Sequence, residues 1–342
     1  MIKIDDLSFE ELKDAVLKIK EPKFKATQIF DWIHNKTADS FDDMSNVSQK
    51  TKTELKKEYE FTYAKVDLKL ESKLDETKKY VIKFEDGNIV ESVFLKYKFG
   101  NTACISSQVG CKMGCHFCAS SKNGFIRNLT AAEMLKQIYL IQKDTNEKIS
   151  NVVIMGSGEP LENFDNIVKF LNIINDEKGQ NISMRKITLS TSGIVPNIYK
   201  LADENIPITL AISLHAPTQE KREQIMPIAR KYKLPDILEA CDYYVNTTGR
   251  RLTFEYIMIK GFNDSQEDAL TLSKILKNKL ANINLIPCNY VKEADIIPSG
   301  DLDIAKFKKI LSDNGINATV RRELGSDINA ACGQLRNDLL NM

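Results

Sequence analysis

The residues most able to do chemistry lie in one cysteine-rich segment, CISSQVGCKMGCHFC, which runs from Cys104 to Cys118. Cys111, Cys115 and Cys118 have the spacing C-x3-C-x2-C, which supplies three thiolates and no fourth. A structural zinc site is closed by four ligands, whereas an iron–sulfur cluster held by three cysteines keeps one iron open to a small molecule. The spacing therefore favours a cluster with an open position. A zinc knuckle completed by His116 or by a remote residue is the alternative.

A second group of polar residues follows apolar runs that read as strands. The glycine-rich segment GSGEP at 156–160 comes directly after NVVIM and contains Gly158 and Glu159. The residues that follow three further runs are Ser190, Ser213, Leu214, His215 and Asn289. At the carboxyl ends of parallel barrel strands such residues would share one mouth, where barrel enzymes bind their ligands. An ordinary strand-end turn and a histidine satisfied within the core are the structural alternatives.

The elements that position these residues begin with a helical N-terminal region. Apolar residues recur at helical spacing in three segments, and Ser8 with Glu11 three positions later forms a capping-box pattern. The helices are predicted at 8–19, 26–36 and 47–59. We therefore expect a small helical module over residues 1–75.

A β-hairpin is predicted next, over residues 76–101. Its strands lie at 79–84 and 88–97 around the turn Asp86-Gly87, and Asp-Gly between apolar runs is a strong hairpin signal. Glu91 lies in the second strand among apolar neighbours. A carboxylate in that setting is either exposed at a sheet edge or placed for a purpose.

From residue 102 to 342 short apolar runs alternate with helix-periodic segments. The predicted strands are 102–109, 151–158, 186–192, 208–214, 252–259, 282–288 and 318–323. Helical segments between them include 131–144, 164–174, 236–245, 266–277 and 304–313. This alternation predicts a parallel sheet covered by helices. The fold class is therefore α/β, an incomplete (β/α)6-type barrel with the helical module and the hairpin as extensions. A complete eight-unit barrel and a doubly wound sheet remain alternatives.

These motifs resemble the radical S-adenosylmethionine (SAM) superfamily and, within it, the RlmN/Cfr family of RNA methyltransferases. The segments that carry the resemblance are PKFKATQIFDWIH (22–34), CISSQVGCKMGCHFC (104–118), GSGEPL (156–161), LSTSG (189–193), SLHAP (213–217) and GSDINAACGQLR (325–336). Ser157 departs from the pattern, since many relatives have methionine there. One branch of the family methylates C2 of adenosine and the other C8. Glu159-Pro160 and the QIFDWI segment favour the C2 branch, and the C8 activity is the alternative.

The resemblance implies a role for two cysteines outside the C-x3-C-x2-C motif. Cys332 would first accept a methyl group from one SAM, and a radical made from a second SAM would activate that methyl group for addition to C2. Cys104 would then attack the sulfur of Cys332, forming a disulfide and releasing the base. Glu91 matches the family's proton acceptor. The implied targets are adenosine 2503 of 23S ribosomal RNA and adenosine 37 of transfer RNAs.

Cofactors and partners follow from the same resemblance. It implies one [4Fe-4S] cluster per chain on the three spaced cysteines and two SAM per turnover, bound by the strand-end residues. The partners would be 23S rRNA, tRNA and an electron donor such as flavodoxin or ferredoxin, and we expect a monomer. The lysine-aromatic segment at 20–34, with Arg321, Arg322 and Arg336, is predicted to contact RNA phosphates. A solvated lysine face on an amphipathic helix is the alternative for that segment.

Composition limits the remaining possibilities. The chain has 342 residues, a net charge of +1 and no apolar run approaching the length of a membrane span. Seven cysteines, an odd number, argue against a disulfide framework and predict a reducing cytoplasm. Two other function classes stay open: a radical SAM enzyme acting on a small molecule or peptide, and a non-catalytic metal protein that binds RNA. The helical N-terminal module argues against the first class, because RNA docking gives that module a task. Cys104 and Cys332 argue against the second class, because a pure binding module has no use for either.

Overall fold

A ten-stranded sheet is the centre of the computed structural model, which describes residues 1–122, 124–288, 296–331 and 333–335. The first elements are β1 (Ile2–Lys3), α1 (Phe9–Lys18), α2 (Phe24–His34), α3 (Gln49–Leu55), β2 (Tyr59–Glu60), β3 (Ala64–Glu71), β4 (Lys78–Phe84), β5 (Ile89–Tyr97), β6 (Gly100–Ile105), β7 (Gln108–Gly110), β8 (Phe125–Asn128) and α4 (Ala131–Thr145). The later elements are β9 (Asn151–Ile154), α5 (Phe164–Asn175), β10 (Ile187–Thr191), α6 (Val195–Asp203), β11 (Thr209–Ser213), α7 (Gln219–Ile225), α8 (Leu234–Thr248), β12 (Leu252–Met258), α9 (Gln266–Leu276), β13 (Ala281–Pro287), α10 (Asp301–Asp313) and β14 (Ala318–Val320).

The N-terminal helices form as their sequence predicts. The Ser8 hydroxyl accepts a hydrogen bond from the Glu11 amide (3.3 Å), and the Glu11 carboxylate accepts one from the Ser8 amide (2.7 Å). This is the reciprocal capping box, which satisfies two donors at the start of α1. The N-terminal region then packs on α4, where the buried Lys136 ammonium lies 2.9 Å from Asp39 and 3.5 Å from Asp5. The N-terminal region is thereby joined to the first crossover helix of the barrel.

The predicted hairpin is present as β4 and β5, and it joins the main sheet. At its turn Gly87 has φ of +84°, and Asp86 accepts a hydrogen bond from the Asn88 amide (3.0 Å). β5 pairs antiparallel with β6, so the hairpin extends the barrel sheet. A further strand, β3, pairs with β4 and was not predicted. Its signal is the alternation of Ala64, Val66, Leu68 and Leu70 with charged residues, which is typical of a half-exposed strand.

The remaining seven strands of the sheet are parallel and follow the chain. β6 is followed in the sheet by β9, β10, β11, β12, β13 and β14. Six helical crossovers join them, which confirms the incomplete (β/α)6-type barrel. Among these seven strands each lies beside the one that comes before it in the chain, whereas a doubly wound sheet reverses its strand order part-way. The sheet has β3 and β14 as its two edges in the described residues, so it is not a complete eight-unit barrel.

Candidate active site

The part of the cysteine-rich segment that carries Cys111, Cys115 and Cys118 lies in a loop between β7 and β8, whereas Cys104 lies in β6. Gly110 and Gly114 have φ of +71° and +70°, a backbone conformation that glycine adopts without strain. The Ser121 hydroxyl donates to the carbonyls of Cys115 (3.0 Å) and Cys118 (2.9 Å). The His116 amide donates to the carbonyl of Ile225 at the end of α7 (3.0 Å). The loop is therefore held both by its own turns and by the barrel.

Cys111, Cys115 and Cys118 line one partly open cavity of about 860 Å³, which we call the cysteine cavity. Burial raises the pKa of Cys111 to about 12 and raises the pKa of Cys115 well above its ordinary value. Thiolates are stable in such surroundings when a bound metal compensates their charge.

The same three cysteines suit a cluster better than a single ion. Each thiolate of an iron–sulfur cluster binds a different iron atom, and Cys111, Cys115 and Cys118 all line this one cavity. His116, the candidate fourth zinc ligand, is exposed to solvent. These observations favour the cluster over the zinc knuckle.

The glycine-rich segment after β9 closes one side of the cysteine cavity. A Cβ on Gly156 would lie 2.8 Å from the backbone of Ile105, and one on Gly158 would lie 2.6 Å from the Gln108 side chain. Side chains are therefore excluded, and the backbone itself borders the cavity. Ser157 is fully buried, with its hydroxyl 3.2 Å from that of Ser120. The side chain that departs from the family pattern thus packs inside the protein.

Glu159 holds two strand ends together. Its carboxylate accepts hydrogen bonds from the Ser192 amide (2.6 Å), the Thr191 hydroxyl (2.7 Å) and the Leu161 amide (3.0 Å). Burial raises the pKa of Glu159 overall, although these donors act in the opposite direction. Because its oxygens are engaged within the protein, the segment presents mainly its backbone to a ligand.

The other predicted strand-end residues do not all reach the cavity. Ser190 and Ser213 line it, with their hydroxyl oxygens 3.4 Å apart, and His215 lines it beside them. Leu214 is fully buried and is not among the lining residues. Asn289 lies outside the described residues. Most of the predicted SAM-binding residues therefore line the cysteine cavity, but Leu214 does not.

His215 has a defined orientation. Its Nδ1 accepts a hydrogen bond from the Ile257 amide (3.1 Å), and its ring packs edge-on against Phe117 at 4.7 Å. Burial lowers the pKa of His215 to about 3, with a smaller contribution from the charge of Arg222. The imidazole is therefore neutral at physiological pH and carries its proton on Nε2. His215 therefore borders the cavity, as a ligand-binding residue would, and its ring is also hydrogen-bonded within the core.

Arg222 is a buried residue beneath this mouth that the sequence reading missed. Its Nη2 donates to the carbonyls of Ser192 (2.6 Å) and Ser213 (3.2 Å), and its Nε donates to that of Leu214 (3.2 Å). Its Nη1 has no hydrogen-bond partner among the described residues. Burial lowers the pKa of Arg222 to about 10, so the guanidinium stays charged. No local motif marks this residue, since its partners belong to two strand ends.

A second cavity of about 550 Å³, the Cys104 cavity, adjoins the first. It is lined by Cys104 and by Ala330 and Ala331 of the C-terminal loop, and Arg321 lines both cavities. Cys332 and Arg336 lie outside the described residues. The neighbours of Cys332 divide between the two cavities, since Ala331 lines the Cys104 cavity and Gly333 lines the cysteine cavity.

Glu91 is buried, so the edge-exposed alternative is wrong. Its side chain is 1% exposed, because β5 lies inside the sheet between β4 and β6. The Lys79 ammonium lies 2.9 Å from the Glu91 carboxylate and is itself almost fully buried. Glu91 is not among the residues that line either cavity. An ammonium partner is the usual way in which a buried carboxylate is tolerated.

The lysine-aromatic segment at 20–34 is only partly a surface, which corrects the sequence prediction. Phe30 and His34 are buried, because they lie on the inner face of α2. Lys25 forms an ion pair with Glu21 (2.9 Å) and donates to the Thr51 hydroxyl (2.7 Å). The exposed residues of the segment include Lys20, Lys23 and Phe24.

Comparisons with known proteins agree with this architecture. Residues 105–272 match the radical SAM superfamily, and residues 2–61 match the ribosomal RNA large subunit methyltransferase N-terminal domain. The chain is 53% identical to a probable dual-specificity RNA methyltransferase RlmN of Clostridium novyi, over 99% of each chain. A second such protein, of Lachnospira eligens, is 51% identical over 98% of this chain and 96% of its own. The chain belongs to the RlmN family.

A solved structure supports the radical SAM methyltransferase fold over nearly the whole chain. A radical SAM methyltransferase from Sphaerobacter thermophilus superposes with a TM-score of 0.94 at 37% identity, covering 99% of this chain and 100% of that one. This RlmN-family protein is therefore a radical SAM RNA methyltransferase, and the superfamily implies SAM and a [4Fe-4S] cluster. The described residues contain no helix long and apolar enough to cross a membrane.

Proposed function

We propose that this RlmN-family enzyme methylates C2 of adenosine 2503 in 23S rRNA and of adenosine 37 in tRNAs. The observation that carries the proposal is the adjoining pair of cavities. Cys104 shares one cavity with Ala331, the residue before Cys332, while the three spaced cysteines line the other. A thiol that resolves an adduct on Cys332 must lie within bonding reach of it. The closeness of Cys104 to the neighbouring residue supports that role.

In this proposal the cysteine cavity holds both cofactors. Cys111, Cys115 and Cys118 hold the cluster, and the SAM-binding residues are Gly158, Glu159, Ser190, Ser213, Leu214, His215 and Asn289. When bound, the cluster and SAM supply the methyl group and the radical that the reaction requires. Glu159 contributes through its backbone, because its carboxylate is engaged within the protein. Leu214 does not line the cavity and contributes by supporting the strand end that carries Ser213 and His215. An electron donor such as flavodoxin or ferredoxin supplies the electrons.

The two cysteines act in sequence. C2 of adenine is an electron-poor aromatic carbon and not a nucleophile, so the methyl carbon must reach it as a radical. The Cys332 sulfur takes the methyl group and loses its proton, and after hydrogen abstraction its carbon bonds to C2. The Cys104 thiolate then forms a bond to the Cys332 sulfur as the bond from that sulfur to the methylene carbon breaks. C2 loses its proton, the methylene carbon gains one to become the methyl group, and the unpaired electron leaves to the electron-transfer partner. The product is methylated RNA and a disulfide, which an external thiol reduces.

Glu91 is the proposed proton acceptor, and Lys79 is its partner. The ammonium 2.9 Å away supplies the countercharge that an ionised Glu91 needs inside the sheet. Val93, two residues later on the same face of β5, lines the Cys104 cavity. A carboxylate at this position accepts the proton through the thiol of Cys104 or from C2 itself.

RNA binding is proposed for exposed cations at two places, because the target base must leave its stack to enter the barrel. Arg322 is exposed at the rim of the Cys104 cavity, and Lys23 is exposed on α2. Lys23→Ala should lower the slope of RNA affinity against salt by about one unit, the effect of one lost phosphate contact. Lys25→Ala is the matched control, since Lys25 is already paired with Glu21. An equal slope for Lys23→Ala and the unchanged protein would remove Lys23 from the interface.

Mass spectrometry of RNA from a strain lacking the gene tests the proposal. We expect 2-methyladenosine to disappear from rRNA and tRNA, to return with the intact gene and to stay absent with Cys332→Ala. Loss of 8-methyladenosine instead would assign the C8 activity. Unchanged nucleoside content in both RNAs would contradict an RNA C2 or C8 activity altogether.

A further inference from the structure

The C-terminal loop that precedes Cys332 is fastened to the turn between β3 and β4, which lies outside the parallel part of the sheet. The Asp327 carboxylate of the loop accepts hydrogen bonds from the Ser72 hydroxyl (2.7 Å) and the Lys73 amide (2.8 Å) of the turn. In the opposite direction, the Asp75 carboxylate of the turn accepts one from the Gly325 amide (3.0 Å) of the loop. The loop and the turn therefore each supply one carboxylate that accepts hydrogen bonds from the other.

The turn is organised to receive the loop. The Asp75 carboxylate also accepts a hydrogen bond from the Thr77 amide (2.8 Å), and the Ser72 hydroxyl accepts one from the Asp75 amide (3.2 Å). Gly325 has φ of +64°, and a Cβ there would lie 2.7 Å from the Thr77 side chain. The loop backbone thus lies directly against the turn, in a conformation that favours glycine.

Further contacts hold the loop nearer the proposed reaction centre. The buried Lys79 ammonium, which pairs with Glu91, also donates to the carbonyl of Asn329 (3.2 Å). After Cys332, the carbonyl of Gly333 accepts a hydrogen bond from the Ala119 amide (2.8 Å). The described residues on both sides of Cys332 are therefore anchored, one side to the β3–β4 region and the other beside the cysteine-rich loop.

We propose that Asp75 and Asp327 are positioning residues that hold the C-terminal loop in register with Cys104, an inference that rests on the proposed function. The Cys332 sulfur must meet a methyl donor, then C2, then Cys104, and bond formation at each stage requires near-contact geometry. A misplacement of about 1 Å at such a centre can cost about 100-fold in rate. Neither carboxylate lies in the cysteine cavity or the Cys104 cavity. They act on the loop that carries the reacting sulfur.

Kinetics and hydrogen exchange on the full-length, cluster-loaded enzyme test this inference. In Asp75→Ala/Asp327→Ala we expect the kcat for RNA methylation to fall about 10- to 100-fold, with the KM for RNA within about twofold. Amides 325–331 should lose protection, while iron content stays unchanged. Asp327→Asn, which keeps one acceptor oxygen, should give an intermediate loss. Asp313→Ala is the control, since Asp313 forms an exposed ion pair with Lys309 on α10.

The outcomes separate the inference from the function on which it rests. Lost protection at 325–331 with an unchanged kcat would overturn the positioning role, and unchanged protection would overturn the anchoring itself. If the double variant fails to fold, the exposed Asp327→Asn alone must still lower kcat and protection together. Failure of the unchanged enzyme to make 2-methyladenosine would instead contradict the proposed function, and the exchange data would remain informative about the anchor.

Discussion

The two adjoining cavities are built in different ways. The cysteine cavity is formed by strand ends that buried side chains hold together, chiefly Glu159 between two loops and Arg222 beneath three carbonyls. The Cys104 cavity has the sheet as one wall and the C-terminal loop as the other, and carboxylates near the surface hold that loop. A site for bound cofactors benefits from rigid, preorganised walls. A cysteine that changes bonding partners during a reaction needs an anchored but movable segment.

The largest effect should come from removing a cysteine of the cysteine cavity. Cys118→Ala should leave the fold intact but reduce iron from about four atoms per chain to near zero after anaerobic reconstitution, because a three-ligand site cannot lose a ligand. RNA methylation should be abolished. Cys241→Ala is the control, since Cys241 is buried in α8 away from the cavity. Full iron content in Cys118→Ala would remove Cys118 from the ligand set.

Removing Cys104 or Cys332, the two cysteines proposed to act at the Cys104 cavity, should stop the reaction at different stages. Cys332→Ala should carry no methyl group and make no product, with normal iron content. Cys104→Ala should still attack C2 but should accumulate a covalent protein–RNA adduct, visible as a nuclease-sensitive band on a denaturing gel. The double variant should show no such band. Normal turnover by Cys104→Ala, or an adduct mapped to another residue, would show that the proposed roles are wrong.

Two arginine substitutions, one beside each cavity, test how much each region contributes to the stability of the protein. Arg222→Gln should lower the free energy of unfolding by about 3 kcal/mol, because buried carbonyls lose charge-assisted donors. Arg322→Gln, on the exposed rim of the Cys104 cavity, should change it by no more than about 0.5 kcal/mol. Urea denaturation followed by circular dichroism gives both values. Equal effects would mean that the two regions do not differ in rigidity.

The smallest expected effect is a loosening of the C-terminal loop at acidic pH. Hydrogen bonds from the Lys73 amide and the Ser72 hydroxyl lower the pKa of Asp327. Partial burial acts to raise the pKa of Asp75, but donors from Thr77 and Gly325 lower it overall. Since both folded pKa values lie below the unfolded ones, their stabilisation is complete above about pH 4 and is lost as the pH falls further.

Exchange protection at 325–331, corrected for the intrinsic rate, should therefore decrease below about pH 4. In Asp75→Asn/Asp327→Asn this decrease should be absent, because neither side chain titrates. A decrease of the same size in that variant would mean that other groups control the loop.

Much of the molecule was predictable because its signals are local. The spacing of Cys111, Cys115 and Cys118, the capping box at Ser8 and the turn at Asp86-Gly87 each lie within a few neighbouring residues. The alternation of apolar runs with helical segments predicted the incomplete barrel, and the family resemblance predicted the RNA methyltransferase. Even β3, which was not predicted, has a local signal in the alternation of apolar and charged residues along it.

Other features were decided only by the tertiary structure. Phe30 and His34 belong to the segment predicted to contact RNA, yet they are buried on the inner face of α2. Glu91 was open to two interpretations until β4 and β6 enclosed β5 and placed Lys79 beside it. The partners of Arg222 belong to separate strand ends, and Asp327 meets a turn from the opposite end of the chain. Burial and long-range pairing arise when distant segments close on one another, and short sequence patterns do not encode which segments will meet.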